Sequence, residues 1–173
     1  LIEKLEGIIL SETPYKETSK IIQVYTKEHG LISMMARGAK SLKSNLRVGT
    51  NSYTYGYFYV YYKKDKISQL TNVDIIDSFF NIQTDIKLIG YMAYLCDLTK
   101  QVLRENNNTE MFNMLIDSLK KIDNKLDPVI ITNILEIKYL DYLGIGLNLD
   151  ECIKCGSTKG IVTIDPDLGR FVC

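Results

Sequence analysis

The sequence predicts an α+β protein: a small five-stranded β barrel or sandwich, then a set of helices, then a cysteine knuckle. Three observations carry this prediction. The first 80 of the 173 residues hold about five short β-rich runs separated by turn signals. From residue 81 the apolar residues recur at three- and four-residue steps, the period of a helix. The charge balance changes sign at the same place, with 11 basic and 8 acidic side chains in residues 1–80 against 10 and 13 in residues 81–173. The division is therefore 1–80 and 81–173, with a cysteine-bearing segment from about residue 148.

Taken in order, residues 7–10, 19–26 and 31–36 read as the first three strands. Glu28-His29-Gly30 turns the chain between the second and third, because Gly30 supplies the positive φ that such turns need. The run at 19–26 alternates only in part, as a strand in a strongly curved sheet does. Residues 51–62 form a long strand candidate and 66–73 another. Gly56 within the former is costly unless it permits a bulge or a sharp bend, which small barrels require. The pattern Ile86, Ile89, Met92, Ala93 and Cys96 predicts a helix over 82–103, widened by Leu88 and Leu95 and ended by Asn106-Asn107-Asn108. Thr109 is placed to cap the next helix, with Phe112, Leu115, Ile116, Leu119 and Ile122 on its core face. Asp127-Pro128 starts a third helix, Asp as N-cap and Pro at the first helical position, running to Leu143 and stopped by Gly144.

Several function classes fall to composition and motif. Apolar residues make up 46% and charged residues 24%, which is globular rather than disordered. Lys plus Arg and Asp plus Glu balance at 21 each, so a uniformly basic coat is excluded but a local basic patch is not. The longest strongly apolar run, 88–96, is nine residues against the ~20 of a membrane span. Glu3, Lys4 and Glu6 argue against a signal peptide. Neither nucleotide-binding glycine motif is present, since Gly144-Ile145-Gly146 and Gly156-Ser157-Thr158-Lys159-Gly160 lack the spacing. With one histidine, His29, a His pair is impossible, and its place in a turn speaks against catalysis.

Two stretches carry functional signals. Residues 29–64 contain no acid but six cations: Arg37, Lys40, Lys43, Arg47, Lys63 and Lys64. The first four are spaced 3, 3 and 4 apart. As a helix they share one face; as a loop, Gly38 and two serines make them flexible enough to follow a phosphate backbone. Either way they create a positive potential suited to polyphosphate, against the plainer alternative of a solvated connection. Tyr53, Tyr55, Tyr57, Tyr59 and Tyr61 then alternate along one strand face. That face either stacks bases or is buried against the helices, and a five-tyrosine face left open would be a large patch.

The cysteines are the second signal. Cys152-Ile153-Lys154-Cys155-Gly156 is a C-x-x-C-G knuckle, and Cys173 follows after 17 intervening residues. The spacing fits three ligands of a Cys₄ zinc ribbon, with the fourth expected three positions past Cys173. Such zinc is structural and closed to substrate, which argues against a zinc enzyme. A redox or metal-free pair is the rival, but the knuckle does not follow a βαβ pattern. Cys96 falls on a helix core face as a buried thiol.

Together these residues resemble the RecO family of bacterial recombination mediators. The resemblance runs through Glu6-Gly7-Ile8-Ile9-Leu10, Tyr15-Lys16-Glu17-Thr18-Ser19-Lys20-Ile21-Ile22 and Tyr25-Thr26-Lys27-Glu28-His29-Gly30-Leu31-Ile32. It continues through Ala36-Arg37-Gly38-Ala39-Lys40-Ser41, Leu70-Thr71-Asn72-Val73-Asp74 and the knuckle. It implies an N-terminal OB-fold, a helical domain carrying a zinc module, and further helices beyond this chain. It also implies a cytoplasmic, nucleoid-associated protein without enzymatic activity. Such a protein binds single- and double-stranded DNA, anneals complementary strands and assists recombinase loading. The implied partners are RecR, the C-terminal tail of single-stranded-DNA-binding protein, and sometimes RecF. By the same resemblance Arg37, Lys40, Lys43 and Arg47 form the DNA-contact segment, although Ser41 and Leu42 stand where members often carry a cation and a proline. The competing expectation is an OB-fold scaffold that meets an acidic protein rather than DNA.

Overall fold

In the computed structural model, which describes residues 1–103 and 108–173, five strands close into a barrel: β1 (Glu3–Tyr15), β2 (Ser19–Thr26), β3 (Gly30–Ala36), β4 (Tyr55–Tyr61) and β5 (Ser68–Asp77). Their order around the barrel is β1-β2-β3-β5-β4, the OB arrangement. β1 is far longer than 7–10 because it serves two partners. Its first half pairs with β4 and its second with β2, and a bulge between Ile9 and Ser11 bends it from one to the other. A strand whose ends are polar and solvated shows no apolar alternation there, which is why only its middle is legible. Gly30 takes φ 67° in the β2–β3 turn, while the Thr26 hydroxyl accepts from the His29 amide at 3.1 Å.

The strand expected from residue 51 begins at Tyr55. Residues 51–54 form a turn, with Tyr53 in the left-handed region at φ 70°. β5 runs to Asp77, beyond the expected 73. The register slips between Tyr55 and Gly56 as the sequence suggested it would bend there.

The helical part starts with a short α2 (Phe80–Gln83), a break at Thr84 and Asp85, and then α3 (Ile86–Val102). The break is local: Asp85 leaves helical geometry to accept the Lys87 amide at 2.8 Å. α4 (Thr109–Asp123) is capped by Asn108, whose side chain accepts the Glu110 amide at 2.7 Å; Thr109, expected to cap it, is its first helical residue. Asn106 and Asn107, read as the preceding helix end, lie outside the described residues. α5 (Pro128–Tyr142) has the expected Asp127 cap and closes with Gly144 and Ile145 amides on Asp141 and Leu140 carbonyls. Three short strands follow that the sequence did not reveal: β6 (Asn148–Cys152), β7 (Thr163–Asp165) and β8 (Arg170–Val172), in the order β6-β8-β7.

Two apolar cores result. One fills the barrel with Leu5, Ile9, Ile22, Val24, Met34, Phe58, Val60 and Leu70. The other joins the barrel's outer wall at Ile8, Leu10, Tyr25 and Tyr55 to Phe79, Ile82 and the buried faces of α3, α4 and α5. All five predicted core positions of α4 are buried.

Candidate nucleic-acid interface and cysteine centre

The basic segment leaves β3 at Arg37 and crosses one end of the barrel to a single-turn helix, α1 (Leu46–Gly49), which in chain order lies between β3 and β4. It is neither a one-faced helix nor a free loop. Ala39 and Leu46 reach into the barrel core and pin it at two points. The Lys40 amide bonds the Thr18 carbonyl at 2.8 Å, and the Gly38 amide bonds the Ser19 hydroxyl at 3.3 Å. Between and beside these anchors Arg37, Lys40, Lys43 and Arg47 are all exposed. None of the four makes an ion pair among the described residues. Lys20 nearby is spent differently, held by Glu12 at 2.8 Å.

The tyrosine ladder divides. Tyr53 and Tyr55 turn towards the helices, where Tyr55 stacks on Phe79 and lies tilted against Phe112, both at 6.4 Å between ring centres, and donates its hydroxyl to Glu6. Tyr57, Tyr59 and Tyr61 stay on the outer barrel surface. Lys4 sits 3.9 Å from the centre of the Tyr57 ring, and the Tyr59 hydroxyl donates to Asp74 at 2.8 Å. The packing reading thus holds for the upper part of the ladder only.

His29 does more than turn the chain. Its ring stacks on Tyr62 at 4.0 Å, and its Nε2 lies 2.9 Å from a Glu3 carboxylate oxygen. Sequence reasoning missed this contact, because nothing local links a turn residue to the end of a distant strand.

Cys152, Cys155 and Cys173 come together as predicted, their sulfurs all within 4.8 Å of one another. Cys173 Sγ is 3.4 Å from both Cys152 Sγ and Cys155 Sγ. A tetrahedral ion about 2.3 Å from each sulfur spaces its ligands about 3.8 Å apart, so the three thiols fit zinc. β6 and β8 bring the two ends of the site together, with the Ile153 amide on the Phe171 carbonyl at 2.9 Å. The Cys173 amide donates to Cys152 Sγ and, with the Lys154 and Cys155 amides, pulls the Cys152 thiol down to about 6. The Cys152 and Cys155 sulfurs push Cys173 up to about 11. Cys96 is buried in the helical core, and desolvation raises its thiol to about 12, which keeps it protonated.

Residues 1–79 match the family model described as recombination protein O N terminal, and residues 83–173 match recombination protein O C terminal. The chain is 35% identical over 173 residues to DNA repair protein RecO of Listeria monocytogenes serotype 4a (strain HCC23) and 38% identical to that of Listeria welshimeri serovar 6b; each match covers 99% of this chain and 68% of the relative. It is 34% identical over 174 residues to DNA repair protein RecO of Halalkalibacterium halodurans, across 100% of this chain and 68% of that one. The chain belongs to the RecO family of DNA repair and recombination proteins. Among the described residues no helix is long and apolar enough to cross a membrane.

Proposed function

We propose that this chain is a recombination mediator whose barrel, residues 1–80, binds single- and double-stranded DNA through Arg37, Lys40, Lys43 and Arg47. The observation that carries the reading is four exposed cations, free of ion pairs among the described residues, on a segment anchored to one barrel end. Such charges neutralise phosphates and release counterions, so binding is salt-dependent and nearly indifferent to sequence. Two strands held with their charges screened and their bases free can pair, and no residue needs to act as acid, base or nucleophile. The protein is therefore a non-enzymatic annealing factor that works in the cytoplasm at the nucleoid, assisting recombinase loading with RecR and sometimes RecF.

The helices serve a different partner in this reading. Met114, Ile131 and Ile134 line a groove between α4 and α5 flanked by Lys121 and Lys138. Asp117 also lines it and holds Lys121 at 2.6 Å, so the apolar wall with Lys138 is what suits the acidic tail of single-stranded-DNA-binding protein. Zinc on Cys152, Cys155 and Cys173 is structural and staples β8 to β6.

The test is fluorescence anisotropy of a labelled mixed-sequence single strand across salt concentrations, with a variant carrying Ala at positions 37, 40, 43 and 47. Each phosphate contact on a single strand contributes about 0.7 to the slope of log affinity against log salt. Loss of all four should lower that slope by about 2.8 and remove most of the binding. Wild-type protein that ignores the oligonucleotide at low salt supports the scaffold alternative.

A further inference from the structure

The barrel's seam between β3 and β5 is its least complete. Parallel pairing there is confined to Met34 with Ser68 and Met35 with Gln69. Before those pairs, the first half of β3 and the β4–β5 connection diverge around a cavity of about 360 Å³. That is within the roughly 300–1,000 Å³ of small-ligand sites. One wall is aromatic: the His29 and Tyr62 rings lie 9° from parallel, and the His29 side chain is 30% exposed. The rim is basic. Lys63 and Lys66 are exposed and unpaired with any described acid, although Asp65 also lines the opening.

A flat stacked pair beside two free cations matches the two halves of a nucleotide. Every base has a π face for the ring, and every phosphate a charge for the lysines. We propose that this cavity takes one unstacked nucleotide of a single strand, its base against the His29–Tyr62 stack and its phosphate between Lys63 and Lys66. The proposal rests on the DNA-binding reading and extends it. His29 precedes β3 and Arg37 follows it, so the cavity and the basic segment sit at opposite ends of one strand. The seven residues of β3 span about 23 Å. One single strand can cover both points, since an OB barrel engages roughly 4–16 nucleotides.

His29 is the only histidine in the sequence, so its ring protons are an unambiguous NMR reporter. The experiment titrates the full chain with oligothymidylate and, separately, with thymidine monophosphate, alongside anisotropy. The oligonucleotide should move the His29 ring resonances. Lys63→Ser with Lys66→Ser, both at exposed positions, should lower the salt slope by about 0.7, the share of the one phosphate they hold. His29→Ala should weaken binding about fivefold or more, and His29→Phe, which keeps a flat ring, should restore it. An oligonucleotide that binds without moving the His29 signals, with an unchanged slope in the lysine variant, overturns the cavity assignment and leaves the basic segment standing. Wild-type protein that does not bind the oligonucleotide overturns both. Thymidine monophosphate that moves the His29 signals at equally low concentration makes the cavity a free-nucleotide site and overturns the strand contact.

Discussion

A Cβ added at Gly56 would sit 2.5 Å from the Asp74 carbonyl oxygen, so the close approach of β4 to β5 at the register slip depends on that residue having no side chain. A glycine inside a β-rich run is a visible signal, and the bend it permits was legible. The fate of the tyrosines was not. Alternation says which residues share a strand face, but Tyr55 is covered only because Phe79 and Phe112 arrive from elsewhere in the chain. The cysteine spacing was legible; the unequal acidity of the thiols was not, since it comes from the backbone amides and neighbouring sulfurs of the folded site. Cys152 deprotonates near 6 instead of the ordinary 9.0. Its thiolate therefore favours the folded sheet fully above 9, and that contribution disappears as pH falls through 6. Cys173 has the opposite sign: its contribution is present below 9 and lost as pH rises through about 11. Alkylation of metal-free protein, read by mass spectrometry, should give a Cys152 midpoint near pH 6. A midpoint near 9 would mean that the amides do not hold the thiolate.

At the scale of elements, caps and core stripes were the readable part. Asp127 accepts the Val129 amide at 2.8 Å and the Ile130 amide at 3.3 Å, both otherwise unpartnered at a helix start. Asp127→Ala should cost about 0.5–2 kcal/mol, measured by urea denaturation. No change would mean that α5 is held by packing alone. Asn108 displaced Thr109 as the α4 cap because either residue can bond an N-terminal amide and sequence spacing does not separate neighbours. The helix break at Thr84 and Asp85 escaped for a similar reason, as apolar periodicity persists across it. β7 and β8 are three residues each and β6 is five, too short to show alternation. The sequence indicated a metal-ligand pattern there but not the sheet that carries it.

For the molecule as a whole, the sequence predicted the barrel and the helices as classes of structure but could not show that they share a core. Tyr25 makes that union concrete. Its ring meets Phe112 edge-on at 5.3 Å, and its hydroxyl donates to the Asn108 carbonyl at 2.7 Å. Tyr25→Phe should cost about 1 kcal/mol, the hydrogen bond alone. Tyr25→Ala should cost about 3–5 kcal/mol, by analogy with other large aromatic deletions. Thermal melts followed separately by barrel and helix signals should fall together in both variants; separate transitions would show two independent folding units. The shared core also has a geographic consequence. The walls around Ile8, Leu10, Tyr25 and Tyr55 are covered by the helices, whereas Thr71, Asn72, Asp74, Ile75 and Ile76 of β5 face solvent. Under the DNA-binding proposal, a strand reaches the barrel from its uncovered side, because the helices already occupy the opposite wall.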